Sequence, residues 1–231
     1  MGIQFKPPSS HIIIGWGEPH LPAVFLVDAS NSMENNAIDA LNQELIEFGN
    51  ALRNDSLLLG CAEVCIISFN STVQTVMGFR PASEYEAPPL TASLGMASMN
   101  EAIEAGLDAL EARTREYQIN GVCYYRPVLF LLTSSASVDT GKEEATKARL
   151  QNLIKNRKVR YIPVTTLKAG IELLRGYYPE EASVRPVIYG DVSGFKDMFT
   201  WFAKILSRQM HPLHDGAMKF PPLPDFYEII P

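Results

Sequence analysis

Two hydrophobic patterns alternate along this chain. Short uninterrupted apolar runs, such as residues 23–27 and 128–132, are typical of parallel strands that are buried on both faces. Between these runs, apolar residues recur every three or four positions, which is the period of a helix with one buried face. The predicted strands are residues 23–27, 63–69, 73–77, 127–133, 159–164 and 184–189, and the predicted helices are residues 38–52, 99–117, 140–158, 169–177 and 195–206.

This alternation predicts one α/β domain with a doubly wound, mostly parallel six-stranded sheet and helices on both faces. Residues 73–77 differ from the other strands, because they alternate apolar and polar positions after the turn-forming pair Asn70 and Ser71. We therefore expect an antiparallel strand at one edge. The domain is predicted to span residues 18–210, between an N-terminal extension of residues 1–17 and a Pro-rich tail of residues 211–231. The tail either binds a partner as a polyproline-type segment or wraps its own domain.

Composition narrows the range of partners. The 231 residues are 46% hydrophobic and carry a net charge of -6, without a run of Lys or Arg. Nucleic acids and anionic membranes both attract basic patches, so neither is an expected partner. No apolar segment is long enough to cross a membrane and residues 1–8 lack a leader pattern, so we expect a cytoplasmic protein. The three cysteines, Cys61, Cys65 and Cys123, are expected to be reduced thiols in the core.

The candidate chemistry begins where the first strand ends. Asp28, Ser30 and Ser32 occupy alternate positions directly after residues 23–27. Open α/β sheets bind ligands at the carboxyl edge of their strands, and carboxylate and hydroxyl oxygens are hard ligands suited to Mg²⁺. The pattern therefore predicts a binding edge and a candidate metal site. A second interpretation is that Asp28 accepts hydrogen bonds from Ser30, Ser32 or loop amides and only shapes the loop.

Together with three further segments, this loop resembles a known family. Asp-x-Ser-x-Ser in an α/β domain resembles the first loop of the metal-ion-dependent adhesion site of von Willebrand factor A domains, which have a Rossmann-like fold. Residues 88–92, 126–133 and 195–202 are similar to segments of the bacterial TerY-type domains of tellurite-resistance and stress operons. The resemblance extends over residues 18–210. It implies a divalent cation held by the two serines, a threonine of a second loop and two acids, with one position open for an acidic group of a partner.

Two loops of this chain depart from the family pattern. Ala97 stands where the second loop should supply its threonine, and Ser98 is the neighbouring residue. Ser134 stands where the third loop should supply its acid, and the next acidic residue is Asp139. The remaining metal-ligand candidates are Asp28, Ser30, Ser32 and Ser134. Because a divalent ion needs charge neutralisation and full coordination, we expect this reduced set to bind Mg²⁺ at millimolar concentration or not at all.

The expected function is therefore protein interaction without catalysis. The resemblance implies a partner protein, such as a phosphatase or kinase encoded in the same stress, tellurite-resistance or defence operon. Docking is expected at the sheet edge that carries Asn31, Ala97, Ser98 and Ser135. Two alternatives stay open: Mg²⁺-dependent adhesion through the partial site, and a hydrolase or nucleotide-binding enzyme on the same fold. All four histidines lie within the first 20 or the last 21 residues, so no histidine of the central chain can activate a serine.

Overall fold

A computed structural model describes residues 18–33, 36–93, 95, 97–134, 141–190, 197–210, 221–223 and 227–230. Strands and helices alternate through most of this range. The strands are β1 (Leu21–Asp28), β2 (Ala62–Phe69), β3 (Val73–Pro81), β4 (Val128–Thr133), β5 (Arg160–Thr165), β6 (Val187–Gly190) and β7 (Tyr227–Ile230). The helices are α1 (Asn36–Asn54), α2 (Ser56–Cys61), α3 (Met99–Ile119), α4 (Glu143–Lys155), α5 (Lys168–Arg175) and α6 (Met198–Gln209).

The seven strands form one sheet in the order β3-β2-β1-β4-β5-β6-β7. The five inner strands are parallel, β3 runs antiparallel to β2, and β7 runs antiparallel to β6. The predicted doubly wound α/β fold with an antiparallel edge strand is confirmed. The predicted strand number of six is too low, because Tyr227–Ile230 of the Pro-rich tail adds a seventh strand at the opposite edge.

Alternation along the inner strands directs side chains into two separate cores. On one face, Phe25 stacks on Phe130 with ring centroids 4.6 Å apart, and Phe48 of α1 and Phe202 of α6 close around them. On the other face, Val24 and its neighbours pack against α3, α4 and α5. Burial of each such aromatic or aliphatic side chain contributes about 1.5–3 kcal/mol, so both helix layers are fixed to the sheet.

The exposed face predicted for the first helix is partly wrong. The helical period of residues 38–52 predicts Glu44 on the solvent side of α1, but Glu44 is only 6% exposed. It lies against the start of α6, where burial raises the pKa of its carboxyl while backbone hydrogen bonds from Asp197 and Phe199 partly oppose that rise. Helical periodicity locates the face that packs on the sheet, but it does not show where a later helix will dock.

Three smaller differences concern a cysteine, the limits of one helix and a short helix that was not predicted. Cys61 and Cys65 are buried as expected, whereas Cys123 is exposed in the loop before β4. The helix predicted over residues 140–158 begins at Glu143, and its last residues form the turn before β5. Helix α2 was not predicted, because six residues are too few to show a period. Its N-cap is Asp55, whose carboxylate accepts hydrogen bonds from two amides of the first turn.

The described part of the tail packs against its own domain. The Trp201 indole N–H donates to the Pro221 carbonyl at 3.1 Å, and Leu223 and Ile229 contact the core beneath α6. These contacts therefore favour the interpretation that this part of the tail wraps its own domain rather than binding a partner. The possible strand at residues 11–14 lies outside the described residues. Within the described ranges, no helix is both long and apolar enough to span a bilayer.

Candidate functional site

The candidate site lies at the carboxyl edge of the sheet, where β1 and β4 end side by side. The register pairs Val27 of β1 with Leu132 of β4, so the next residues, Asp28 and Thr133, are neighbours on adjacent strands. The loop after β1 continues into a single 3-10 turn, Asn31–Met33. A parallel sheet therefore brings together side chains that are separated by more than 100 positions in the sequence.

Asp28 is the centre of the site and is fully buried. Its Oδ1 accepts the backbone N–H of Ser30 at 2.9 Å, and its Oδ2 accepts the Thr133 hydroxyl at 2.9 Å and the backbone N–H of Ser134 at 3.0 Å. Hydrogen bonds to a charged group contribute about 1.5–3 kcal/mol each. The carboxylate therefore ties the first and third loops into one rigid unit.

A chain of hydroxyl groups runs over this carboxylate. The Ser30 and Ser32 Oγ atoms are 3.0 Å apart, and the Ser32 and Ser134 Oγ atoms are 2.6 Å apart. Ser134 Oγ also lies 3.4 Å from Asp28 Oδ2. The structure thus brings together the four residues that the sequence nominated as metal ligands, Asp28, Ser30, Ser32 and Ser134. Their oxygens are hydrogen-bonded to one another in this arrangement.

The second loop supplies no ligand from the position that the family pattern predicts. Ala97 is 1% exposed and its methyl group packs in the core cluster beneath α3. Ser98 is half-buried at the start of α3, and its backbone N–H donates to the Asn70 carbonyl at 2.6 Å. Within the described residues, the Ser98 hydroxyl forms no hydrogen bond to the Asp28 cluster. The loop is therefore held by its backbone rather than by a coordinating side chain.

The rim of the site is polar and exposed. Asn31 and Ser32 project from the first loop into solvent. Beside them, the Asn70 side-chain amide donates to the exposed Ser93 hydroxyl at 2.5 Å, and the Ser93 backbone N–H donates to the Ala29 carbonyl at 3.1 Å. Ser135, predicted to belong to this edge, and Asp139 lie outside the described residues.

The donor set fits a divalent cation only in part. Asp28, Ser30, Ser32 and Ser134 offer the hard oxygen atoms that Mg²⁺ prefers. They bring one carboxylate, because Ser134 occupies the position of an acid in the family pattern that the sequence resembles. The threonine ligand of that pattern is also missing, because Ala97 occupies its position. Among the described residues, no group of three His, Cys, Asp or Glu side chains is placed to hold a metal. Such a donor set can hold a divalent cation only weakly.

Thr133 is a site residue that the sequence analysis missed. Its hydroxyl is buried and donates to the same Asp28 oxygen as the Ser134 amide. Strand pairing is the information that identifies it, because Thr133 is the last residue of β4 and sits opposite Asp28 of β1. Its placement depends on the register of two strands, which the pattern of a single strand does not fix.

The histidine among the described residues lies far from the Asp28 cluster. His20 lies at the opposite, amino edge of the sheet, where its Nδ1 is 2.7 Å from the Glu63 carboxylate. The other three histidines lie outside the described residues. Within the described residues, the Asp28 cluster is therefore built from hydroxyls, amides and one carboxylate.

Comparison with known proteins identifies the fold. No protein-family model matches the chain, and no curated protein sequence is significantly similar to it. Among solved structures, proximal thread matrix protein 1 from the mussel byssus has a TM-score of 0.53 at 15% identity over 80% of this chain and 45% of that protein. A further structure of that protein, described as having a zinc-occupied adhesion-site motif, gives a TM-score of 0.53 at 16% identity.

A bacterial protein shows the same likeness. A mutant of the PilB minor pilin from Streptococcus sanguinis has a TM-score of 0.53 at 11% identity over 85% of this chain and 64% of the pilin. The chain thus spans 45% to 64% of the length of these proteins. At such low identities the likeness shows the fold alone, and that fold is von Willebrand factor A-like.

Proposed function

We propose that this protein is a non-enzymatic interaction module that binds a partner protein at the carboxyl edge of its sheet. The observation that supports this most directly is the buried Asp28 carboxylate, which locks the first and third loops together beneath an exposed rim. A rim fixed in this way loses little conformational freedom on binding, which favours recognition. Asn31, Ser32 and Ser93 present amide and hydroxyl groups there to a partner's polar side chains or backbone.

The resemblance of three sequence segments to TerY-type domains supports a more specific setting. In that setting the protein acts in the cytoplasm of a bacterium, in a stress, tellurite-resistance or defence system. Its partner is a phosphatase or kinase encoded beside it. The polar rim suits such a partner, because a hydrogen-bonding surface allows reversible association without a large apolar patch.

The test is a bulky substitution at the rim. Asn31→Trp places an indole on the exposed first loop, and Asn152→Trp places the same group on the exposed face of α4, away from the edge. Each tagged variant is purified from the native host beside the wild-type protein, and the recovered partner is quantified. We expect Asn31→Trp to lose the partner and Asn152→Trp to retain it. Equal recovery by both variants, or no partner with the wild-type protein, would contradict the proposal.

Mg²⁺-dependent adhesion is the second candidate. It is favoured by the convergence of the Ser30, Ser32 and Ser134 hydroxyls on Asp28, and by the zinc-occupied motif described for the mussel protein. A metal that binds only the folded state raises its stability, by about 1.4 kcal/mol at ten times the dissociation constant. Thermal unfolding with and without millimolar Mg²⁺, Mn²⁺ or Zn²⁺ measures this. An equal rise in the Asp28→Ala variant, or no rise at all, would eliminate this candidate.

A further inference from the structure

A groove lies at the amino edge of the sheet, at the end opposite the Asp28 site. It occupies about 680 Å³ between the second halves of α3 and α4, above the points where β4 and β5 begin. Leu107, Leu110 and Leu153 form an apolar floor. This volume falls in the range of roughly 300–1,000 Å³ that is usual for ligand pockets.

The groove is strongly basic in a chain whose net charge is -6. Four cationic side chains line it: Arg115, Arg126, Arg157 and Lys158. Glu111 is the acidic residue of the lining, and its carboxylate is shared with Arg149, at 3.2 Å, and with Arg115, at 3.8 Å. Its negative charge is therefore already engaged, and the rest of the lining remains positive.

Arg126 fixes the positive charge of the groove in place. Its guanidinium is half-buried, with Nε donating to the Val159 carbonyl at 2.9 Å and Nη2 to the Ile154 carbonyl at 3.3 Å. These acceptors are neutral. Burial, together with the smaller effect of the charges of Arg160 and Arg157, lowers the pKa of Arg126 to about 10. Like charges thus crowd this end of the domain, and an anion would relieve their repulsion.

Arg157 and Lys158 are the cations directed to solvent. Both are exposed, and within the described residues neither side chain makes a hydrogen bond or an ion pair. We propose that the groove binds an acidic segment of a protein partner, with an apolar side chain on the leucine floor and Asp or Glu carboxylates at Arg157 and Lys158. The protein would then hold two partner surfaces at once, one at each edge of its sheet.

The composition of the groove favours a peptide over the other occupants. A bare phosphate would contact only the cations, whereas an acidic peptide with one apolar residue contacts both the leucine floor and the cations. Residues 1–17 of this chain contain one lysine and no acidic residue, so they lack the complementary charge. A polar rim around an apolar centre is also the usual anatomy of a protein-interaction patch.

The test uses a random peptide library displayed on phage and selected on the full-length protein. We expect enrichment of peptides that carry at least two acidic residues beside an apolar one. The affinity of one enriched peptide, measured by fluorescence polarisation, should fall at least about tenfold in Arg157→Glu/Lys158→Glu, since two attractions become repulsions. It should fall less in Arg157→Gln/Lys158→Gln, and rising salt should weaken it.

A matched control carries the same change in net charge. Lys168→Glu/Lys204→Glu alters two exposed lysines that do not line the groove, so it should bind the peptide as the wild-type protein does. Equal losses in both double variants, or enriched peptides without acidic residues, would overturn the proposal. Complete displacement by millimolar inorganic phosphate would overturn it in favour of a small-anion site. Self-association that is abolished by Arg157→Glu/Lys158→Glu would overturn it in favour of a second copy of this chain.

Discussion

The two edges of the central sheet each contain a buried carboxylate, and the two are held in different ways. Asp28 ends β1 at the carboxyl edge and is fully buried, while Glu63 lies near the start of β2 and is 4% exposed. The two positions are roughly 20 Å apart along neighbouring strands, since each residue adds about 3.3 Å. The donors described at Asp28 are backbone amides and hydroxyls. Those at Glu63 include an arginine and a histidine.

The Glu63 cluster is an ionic network built into the interior. Arg113 Nε donates to Glu63 Oε2 at 2.6 Å, the Tyr117 hydroxyl donates to the same oxygen at 2.7 Å, and His20 Nδ1 meets Oε1 at 2.7 Å. Burial alone would raise the pKa of Glu63, but the His20 hydrogen bond, the Arg113 charge and the Tyr117 hydrogen bond outweigh it and lower that pKa. The Glu63 charge in turn raises the pKa of Arg113 despite its burial.

The two carboxylates therefore differ in what they hold: Glu63 joins elements of the fold, and Asp28 positions the loops of the candidate site. At the amino edge, the chain itself supplies the Arg113 cation to Glu63, and this buried pair joins α3 to β2. At the carboxyl edge, the hydrogen bonds of Asp28 position loops whose outer residues, Asn31 and Ser32, are exposed. The first arrangement stabilises the fold, and the second fixes the exposed surface of the candidate site.

The largest expected effect is at the amino edge. Arg113→Ala leaves Glu63 buried without its arginine partner, and we expect a loss of about 3–5 kcal/mol in the free energy of unfolding. Urea unfolding at neutral pH measures it. Arg115→Ala, on the exposed side of the same helix, should change stability by less than about 0.5 kcal/mol. A loss below about 1 kcal/mol for Arg113→Ala would show that the network does not carry the packing of α3.

At the carboxyl edge, removing one neutral donor should cost less. Thr133→Val keeps the shape of the side chain and deletes the hydroxyl that donates to Asp28, and we expect a loss of about 1.5–3 kcal/mol. Thr75→Val, on an exposed position of β3, is the matched control and should be close to neutral. The comparison between the edges would fail if Thr133→Val were as neutral as its control, because Asp28 would then not depend on this donor.

The sequence identifies Asp28 at the carboxyl edge but not the Glu63 cluster at the amino edge, and the reasons are physical. Asp28 could be located because a buried strand, a turn and alternating oxygen-bearing residues are all local features. Thr133 needed the register between β1 and β4, and the Glu63–Arg113 pair needed a contact across 50 positions of sequence. The predicted helix of residues 99–117 includes Arg113, but its period does not reveal that partner. The last strand, Tyr227–Ile230, was missed because four residues within a Pro-rich tail show no clear alternation.

The pH dependence of stability should also report the charge of Glu63 at the amino edge. Because the pKa of Glu63 is lower in the folded than in the unfolded state, its contribution is present above the unfolded value of about 4.3 and is lost as pH falls through the folded value. The stability gap between wild type and Glu63→Gln should therefore narrow on acidification, by about 1.4 kcal/mol for each unit of the shift. Urea midpoints from neutral to acidic pH measure this. A gap that stays constant would contradict the lowered pKa.

The smallest expected effect tests whether the carboxyl edge can be turned back into a metal site. Ser134→Asp adds a second carboxylate beside Asp28, so the variant should be less stable than the wild type without metal, through repulsion between like charges. Millimolar Mg²⁺ should restore about 1 kcal/mol more to the variant than to the wild type, because charge neutralisation is what the present donor set lacks. Thermal unfolding with and without Mg²⁺ measures the difference, and Thr75→Asp controls for added charge alone. If Mg²⁺ stabilises Ser134→Asp no more than Thr75→Asp, the loop geometry rather than the missing acid limits metal binding.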